Sequence, residues 1–78
     1  MSKVFILYEE RESSQLCSIV GAWPNRNDAI AKMKKLISLN SLYSSYSHID
    51  FDNGYAESDP LYSEESYSNF FIKEFEII

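Results

Sequence analysis

Hydrophobic positions along this chain come in separated blocks, and each block carries a different period. The first, Val4-Phe5-Ile6-Leu7-Tyr8, is unbroken, short and rich in β-branched and aromatic side chains, which predicts a strand over residues 3–9. An unbroken apolar run also predicts a central strand with both faces at least partly covered. Glu10-Arg11-Glu12-Ser13-Ser14 reads as a polar turn. Residues 15–22 then alternate, with Leu16, Ser18 and Val20 on one side and Cys17 and Ile19 on the other. Two strands this close predict an antiparallel hairpin.

Trp23-Pro24-Asn25 ends the second strand, since Pro24 lacks a ladder donor. Asn25 is a good N-cap residue, and Asp28 stands three positions on, where a weaker capping box would need it. Ala29, Ile30, Met33, Leu36, Ile37 and Asn40 follow a helical stripe, and Lys32, Lys34 and Lys35 lie off it. The spacing predicts a helix over residues 26–39, with its lysines late enough to suit the negative C-terminal end.

Past Asn40 the pattern weakens. Residues 41–48 are compatible with a helical extension, a short second helix or a loop. Asp52-Asn53-Gly54 is a turn signal, and Asn-Gly favours positive φ at both central positions of a tight hairpin turn. Residues 48–52 and 55–58 are therefore candidates for a small hairpin. Asp59-Pro60 marks a further break. Residues 69–77 close the chain as a strand, with Phe70, Ile72 and Glu74 on one side and Phe71, Lys73, Phe75 and Ile77 on the other.

The expected fold is a single α+β domain over residues 1–78. Its centre is a three-stranded antiparallel sheet of order 2-1-3, with one main helix packed on one face. An acidic, Tyr/Ser-rich insertion over residues 41–68 precedes the last strand and adds a short helix or hairpin. The order follows from a right-handed crossover through the helix, which sets the last strand beside the first.

The segments Lys3-Val-Phe-Ile-Leu-Tyr, Ile19-Val-Gly-Ala-Trp, Asn25-Arg-Asn-Asp-Ala-Ile and Phe71-Ile-Lys-Glu-Phe-Glu-Ile together resemble a group of short bacterial and phage proteins of unassigned activity. The resemblance spans roughly two thirds of the chain and its motifs are structural. It implies a fold and a phage or prophage setting, and no activity. The long acidic insertion departs from it.

Composition narrows the classes. With 78 residues, 45% hydrophobic and 15% aromatic, the chain has the apolar content of a folded domain rather than of a disordered one. A domain this small hides only about 60% of its unfolded surface, so its core is thin, and a homodimer is compatible with that thinness. The lone Cys17 excludes an internal disulfide. The N-terminal apolar run of five residues is too short for a signal-peptide core or a membrane span, and a cytoplasmic location is expected. A net charge of −5 disfavours direct binding to nucleic acid and to anionic membranes.

That charge is unevenly placed. Residues 1–40 carry six basic and four acidic side chains, whereas residues 41–72 carry Asp50, Asp52, Glu57, Asp59, Glu64 and Glu65 with no Lys or Arg. Five of the six tyrosines, Tyr43, Tyr46, Tyr55, Tyr62 and Tyr67, fall in the same stretch.

Catalytic chemistry has little to stand on. His48 is the one histidine, and a base of this kind needs a nucleophile and an orienting group that the neighbouring Ser44, Ser45, Ser47 and Asp50 do not supply in any known spacing. A surface histidine is the plainer reading. Cys17 inside a strand reads as a buried inert thiol. Asp50-Phe-Asp-Asn-Gly begins like a calcium loop, but Gly54 stands where a third oxygen ligand is needed, Tyr55 where glycine is needed and Leu61 where the bidentate Glu is needed. One His and one Cys build no zinc site, and the two glycines form no phosphate loop. No cofactor, metal or catalytic residue is expected.

What remains is binding. Trp23 reads as a lid over the helix, with exposure to a partner as the alternative. The acidic, tyrosine-rich stretch reads as a solvated loop, as a docking surface for a basic protein, or as a mimic of nucleic acid, in that order. The sequence thus points to a non-enzymatic protein-binding module. In the setting that the resemblance implies, this is a phage- or prophage-encoded inhibitor or accessory factor that meets a basic surface on a host defence or nucleic-acid-processing protein. The contacts would come from Trp23, Asp50, Asp52, Tyr55, Glu57, Asp59, Tyr62, Glu64, Glu65 and Tyr67. A self-associating assembly protein is the alternative, and a small hydrolase built on His48 the remote one.

Overall fold

The computed structural model describes residues 2–11, 16–61 and 67–77. Five strands and one helix follow in the order β1 (Ser2–Arg11), β2 (Leu16–Trp23), α1 (Arg26–Asn40), β3 (Ser44–Asp50), β4 (Tyr55–Pro60) and β5 (Asn69–Ile77). All strand pairs are antiparallel, in the order β2-β1-β5-β4-β3. The fold is α+β, but the expected three-stranded sheet is corrected to five strands: the insertion supplies a full hairpin that extends the sheet. The open assignment of residues 41–48 resolves into a turn at 41–43 and the start of β3.

The hairpin escaped hydrophobic periodicity because its buried side chains are small. On the side facing α1, Ser44, Ala56 and Ser58 are buried, and Gly54 sits against Ile72. Small groups let the strands lie close to the layer above without showing apolar alternation. The turn also differs from expectation. It spans the four residues Phe51 to Gly54, closed by the Gly54 amide donating to the Phe51 carbonyl at 3.2 Å. Gly54 has φ +66, and a Cβ there would lie 2.8 Å from that of Ile72, so no other residue fits without strain.

β1 lies between β2 and β5, with Leu7 opposite both Gly21 and Ile72. Leu7, Met33, Ala56 and Phe70 are wholly buried and form the core, and Val20, Trp23, Leu36, Ile37, Tyr46, Phe51 and Ile72 pack around them. Every one of these sheet residues faces α1. The helical stripe is as expected, with Ala29 and Met33 buried and Ile30, Leu36, Ile37 and Asn40 half-buried. Its ends are not. Asn25 occupies the N-cap with extended backbone but makes no side-chain cap bond. Its amide instead donates to Asp28 Oδ2 at 3.5 Å. No basic side chain lies in the last turn, so the lysines do not serve the helix dipole; Lys34 instead sets its ammonium 4.8 Å from the centre of the Phe51 ring.

The seam that attaches the hairpin is short. Only Tyr55↔Phe71 and Ala56↔Phe70 are paired between β4 and β5. Beyond them, side chains take over from the ladder. The Ser58 amide donates to Asn69 Oδ1 at 2.9 Å, the Ser58 hydroxyl donates to the Ser68 carbonyl at 2.5 Å, and the Ser68 amide donates back to that hydroxyl at 2.8 Å. These buried polar groups satisfy each other where strand pairing stops.

Candidate protein-binding face

The helix covers one face of the sheet, and among the described residues nothing covers the other. Register shows which side chains stand on this outer face. One row crosses the whole sheet: Ile19 on β2, Tyr8 on β1, Phe71 on β5, Tyr55 on β4 and Asp50 on β3 are successive cross-strand partners. Tyr8 and Phe71 stack with centroids 5.1 Å apart. Further along β1 and β5, Ile6 lies opposite Lys73 and Val4 opposite Phe75. The Lys73 ammonium bends back over both rings, 5.6 Å from each centroid, so its charge rests on aromatic faces.

Acidic side chains border this surface on the hairpin side. Glu57 stands two residues from Tyr55 on the same face, and the Tyr55 hydroxyl donates to Glu57 Oε2 at 3.2 Å. Partial burial first, then this bond and the charges of Glu57, Tyr67 and Glu10, raise the Tyr55 phenol above its ordinary 10.0. Asp59 lies opposite Ser45, and Glu57 opposite His48. Asp50 accepts from the Asn53 side chain at 2.6 Å and from its amide at 3.2 Å, and these bonds hold its carboxyl below the ordinary 3.8. Tyr67 is half-buried beside Asn69, whose amide nitrogen reaches its hydroxyl at 2.7 Å.

Of the residues expected to bind a partner, Asp50, Tyr55, Glu57 and Asp59 are thus brought together on one face. Tyr67 lies at its edge, and Asp52 is exposed in the turn beside it. Tyr62, Glu64 and Glu65 lie outside the described residues, as do residues 12–14 of the turn expected over residues 10–14. Trp23 does not join the group. It pairs with Phe5 on the helix side and packs on the core, its ring lying over Gly21, where a Cβ would come within 2.7 Å of Cη2. The tyrosines also divide: Tyr46 turns inward to stack on Phe70 at 6.4 Å, and Tyr43 is exposed at the turn.

Two other expectations are corrected. Cys17 is exposed, not buried, because β2 is an edge strand and Cys17 pairs opposite Glu10 on the face away from the helix; its thiol lies 3.8 Å from Glu10 Oε2. The turn expected from Glu10 also starts later, since Glu10 and Arg11 belong to β1; the partial cover expected on both faces of that strand is seen, with Leu7 buried on the helix side and Val4, Ile6 and Tyr8 half-buried on the other. The residues that sequence reading missed are these and their partners Phe71, Phe75 and Ile77. A signal for them existed: the last strand is apolar on both sides, and a single helix covers only one.

The bases divide by layer and the acids do not. The helix carries Arg26, Lys32, Lys34 and Lys35 with Asp28, the sheet adds Glu9, Glu74 and Glu76 on the helix side, and the outer face carries Glu10, Asp50, Glu57 and Asp59 against Lys73. A shallow depression of about 210 Å³ on the helix side, lined by Phe5, Arg26, Asn53, Ile72 and Glu74, offers one acid and one base and no nucleophile. His48 is exposed on the outer face opposite Glu57, with Ser45 exposed opposite Asp59 on the same face, whereas Ser44 is buried on the inner one. Among the described residues no group of three His, Cys, Asp or Glu side chains is placed to hold a metal, and no helix is long and apolar enough to cross a membrane. No family model, no curated protein and no solved structure matches the chain. The likeness to short bacterial and phage proteins therefore rests on the quoted segments alone.

Proposed function

We propose that this chain is a non-enzymatic protein-binding module of the cytoplasm, which docks a partner with a basic surface through the outer face of its sheet. The observation that supports this reading is the arrangement of that face: an apolar, aromatic centre at Tyr8, Phe71 and Tyr55, bordered by Glu10, Asp50, Glu57 and Asp59. An apolar centre with a polar rim is the anatomy of a protein interface. Tyrosine supplies contact area at little cost in side-chain freedom, and carboxylates steer a cationic partner inward. Occupying a basic surface in this way is the mode of action of an inhibitor or accessory factor.

Affinity capture from lysate, comparing the native chain with the double variant Glu57→Gln/Asp59→Asn, tests the reading. Both side chains are polar in either form, so the fold should persist by circular dichroism. Capture of a basic protein should fall at least several-fold in the variant, and in the native chain as salt rises from about 0.05 to 0.5 M, where screening shortens to a few ångströms. Equal capture by both proteins at all salt concentrations would remove these carboxylates from the function.

A further inference from the structure

We infer that the outer face receives an amphipathic, cationic α-helix of the partner, laid along β1 and β5 with its basic end toward Glu10, Glu57 and Asp59. The inference rests on the proposal that this face binds protein, and it names the element that binds.

The apolar stripe comes first. An antiparallel sheet with one solvated face carries polar residues there. Between Val4 and Tyr8 on β1 and between Phe71 and Ile77 on β5 this face is apolar apart from Lys73: Val4 lies opposite Phe75, Tyr8 opposite Phe71, Ile6 opposite Lys73 and Ile77 opposite Ser2, and Phe75 and Ile77 remain 44% and 54% exposed. From Phe71 to Ile77 the stripe runs about 20 Å at ~3.4 Å per residue, the length of a helix of about 14 residues.

Backbone chemistry then selects the occupant. From Phe5 on, β1 has spent its amides and carbonyls on β2 and β5; β5 is paired with β1 throughout, and among the described residues its other edge is open from Lys73 to Ile77, so a strand could add at that edge but not on the face. A partner lying on the face must bring a backbone that is satisfied internally, or it buries unpaired polar groups. A helix does so; an isolated strand does not.

Charge decides between a foreign helix and a second copy. Two of these faces packed with their stripes parallel would oppose Glu10, Asp50, Glu57 and Asp59 to the same four groups, and packed antiparallel would set those four carboxylates against an apolar end that offers no cation beyond Lys73. Like charges across an interface are repelled. The carboxylates lie toward one end of the stripe. The other end, at Phe75 and Ile77, has none on this face, because Glu74 and Glu76 pair opposite Phe5 and Lys3 on the helix side. The complementary ligand is therefore apolar along one side and basic toward one end.

The test titrates a labelled amphipathic Leu/Lys peptide of about 18 residues, long enough to span the stripe, into the full-length protein. Two further peptides serve as comparison: the same composition in scrambled order, and a Leu/Glu counterpart. The amphipathic Leu/Lys peptide should bind at least about tenfold tighter than either and gain helicity on binding. Phe75→Ser/Ile77→Ser, at exposed positions, should weaken it by about tenfold or more, and Lys73→Gln should tighten it by removing a like charge. If Glu57→Gln/Asp59→Asn abolishes binding while Phe75→Ser/Ile77→Ser does not change it, the helix is overturned and the acidic surface stands. If the serine pair weakens binding and the acid pair leaves it unchanged, the charge reading fails, and with it the cationic helix. Equal binding of the scrambled peptide overturns the inference, as does sedimentation of the native protein as a dimer that Phe75→Ser/Ile77→Ser dissociates.

Discussion

Asp50 and Tyr46 show how single side chains in the hairpin were chosen by their surroundings. Asp50 organises the turn by accepting two bonds from Asn53, and those bonds favour its charged form. A depressed folded value means that the stabilising contribution is whole above the ordinary 3.8 and fades as pH falls through the lower folded value. Asp50→Asn should accordingly melt below the native chain at neutral pH, and the gap should close in acid below about pH 3.8. Melting curves across pH 2–7 check this, and a constant gap would mean that the charge contributes nothing. Tyr46 is the reverse case. Its hydroxyl is buried with no hydrogen-bond partner of good geometry. Burial raises its phenol above 10.0; the Asn40 side chain opposes that rise and the Glu9 charge adds to it. Removing an unsatisfied hydroxyl while keeping the ring should be neutral or stabilise by about 1 kcal/mol. Urea unfolding of Tyr46→Phe measures this, and a loss of stability would show that the hydroxyl is satisfied in solution.

At the scale of elements, the β3–β4 hairpin is the weak joint. Two ladder pairs and a buried group of Ser58, Ser68 and Asn69 hold it to β5, whereas β1 pairs with β5 along its length from Ser2 to Glu10. Asn69→Ala leaves the Ser58 amide buried without its acceptor, a cost of roughly 1–3 kcal/mol. Hydrogen exchange should then quicken across β3 and β4 while β1 keeps its protection, since elements open in contiguous units. Uniform quickening of all strands would show that the sheet opens as one unit. The same joint explains which elements were legible. β1, α1 and β5 advertise themselves through apolar runs and a helical stripe. β3 and β4 bury Ser44, Ala56 and Ser58, residues too small or polar to register as a hydrophobic period. Gly54 was readable as a turn residue, but its place at the end of a four-residue loop depended on its approach to Ile72.

For the whole molecule, the consequence of one helix on a five-stranded sheet is a bare face. Ile19, Phe75 and Ile77 are largely exposed on it, beside the stacked Tyr8 and Phe71. Such a patch should bind a fluorescent apolar dye in the native state, and Phe75→Ser/Ile77→Ser should reduce that signal without loss of secondary structure. An unchanged signal would place the dye elsewhere. After folding, the asymmetry lies in the bases: four of them stand on the helix, whereas the outer face sets Lys73 against Glu10, Asp50, Glu57 and Asp59.

The amino-acid sequence by itself determined the local elements where one residue type repeats at one period, together with the absence of a disulfide and the run of acids after the helix. Those are properties of neighbours in the chain. It did not determine that Ile19, Tyr8, Phe71, Tyr55 and Asp50 form one row, that Trp23 turns inward, or that Cys17 is exposed. Each of those depends on strand order and register between segments far apart in the chain, and a shift of one residue in register would send every side chain to the opposite face.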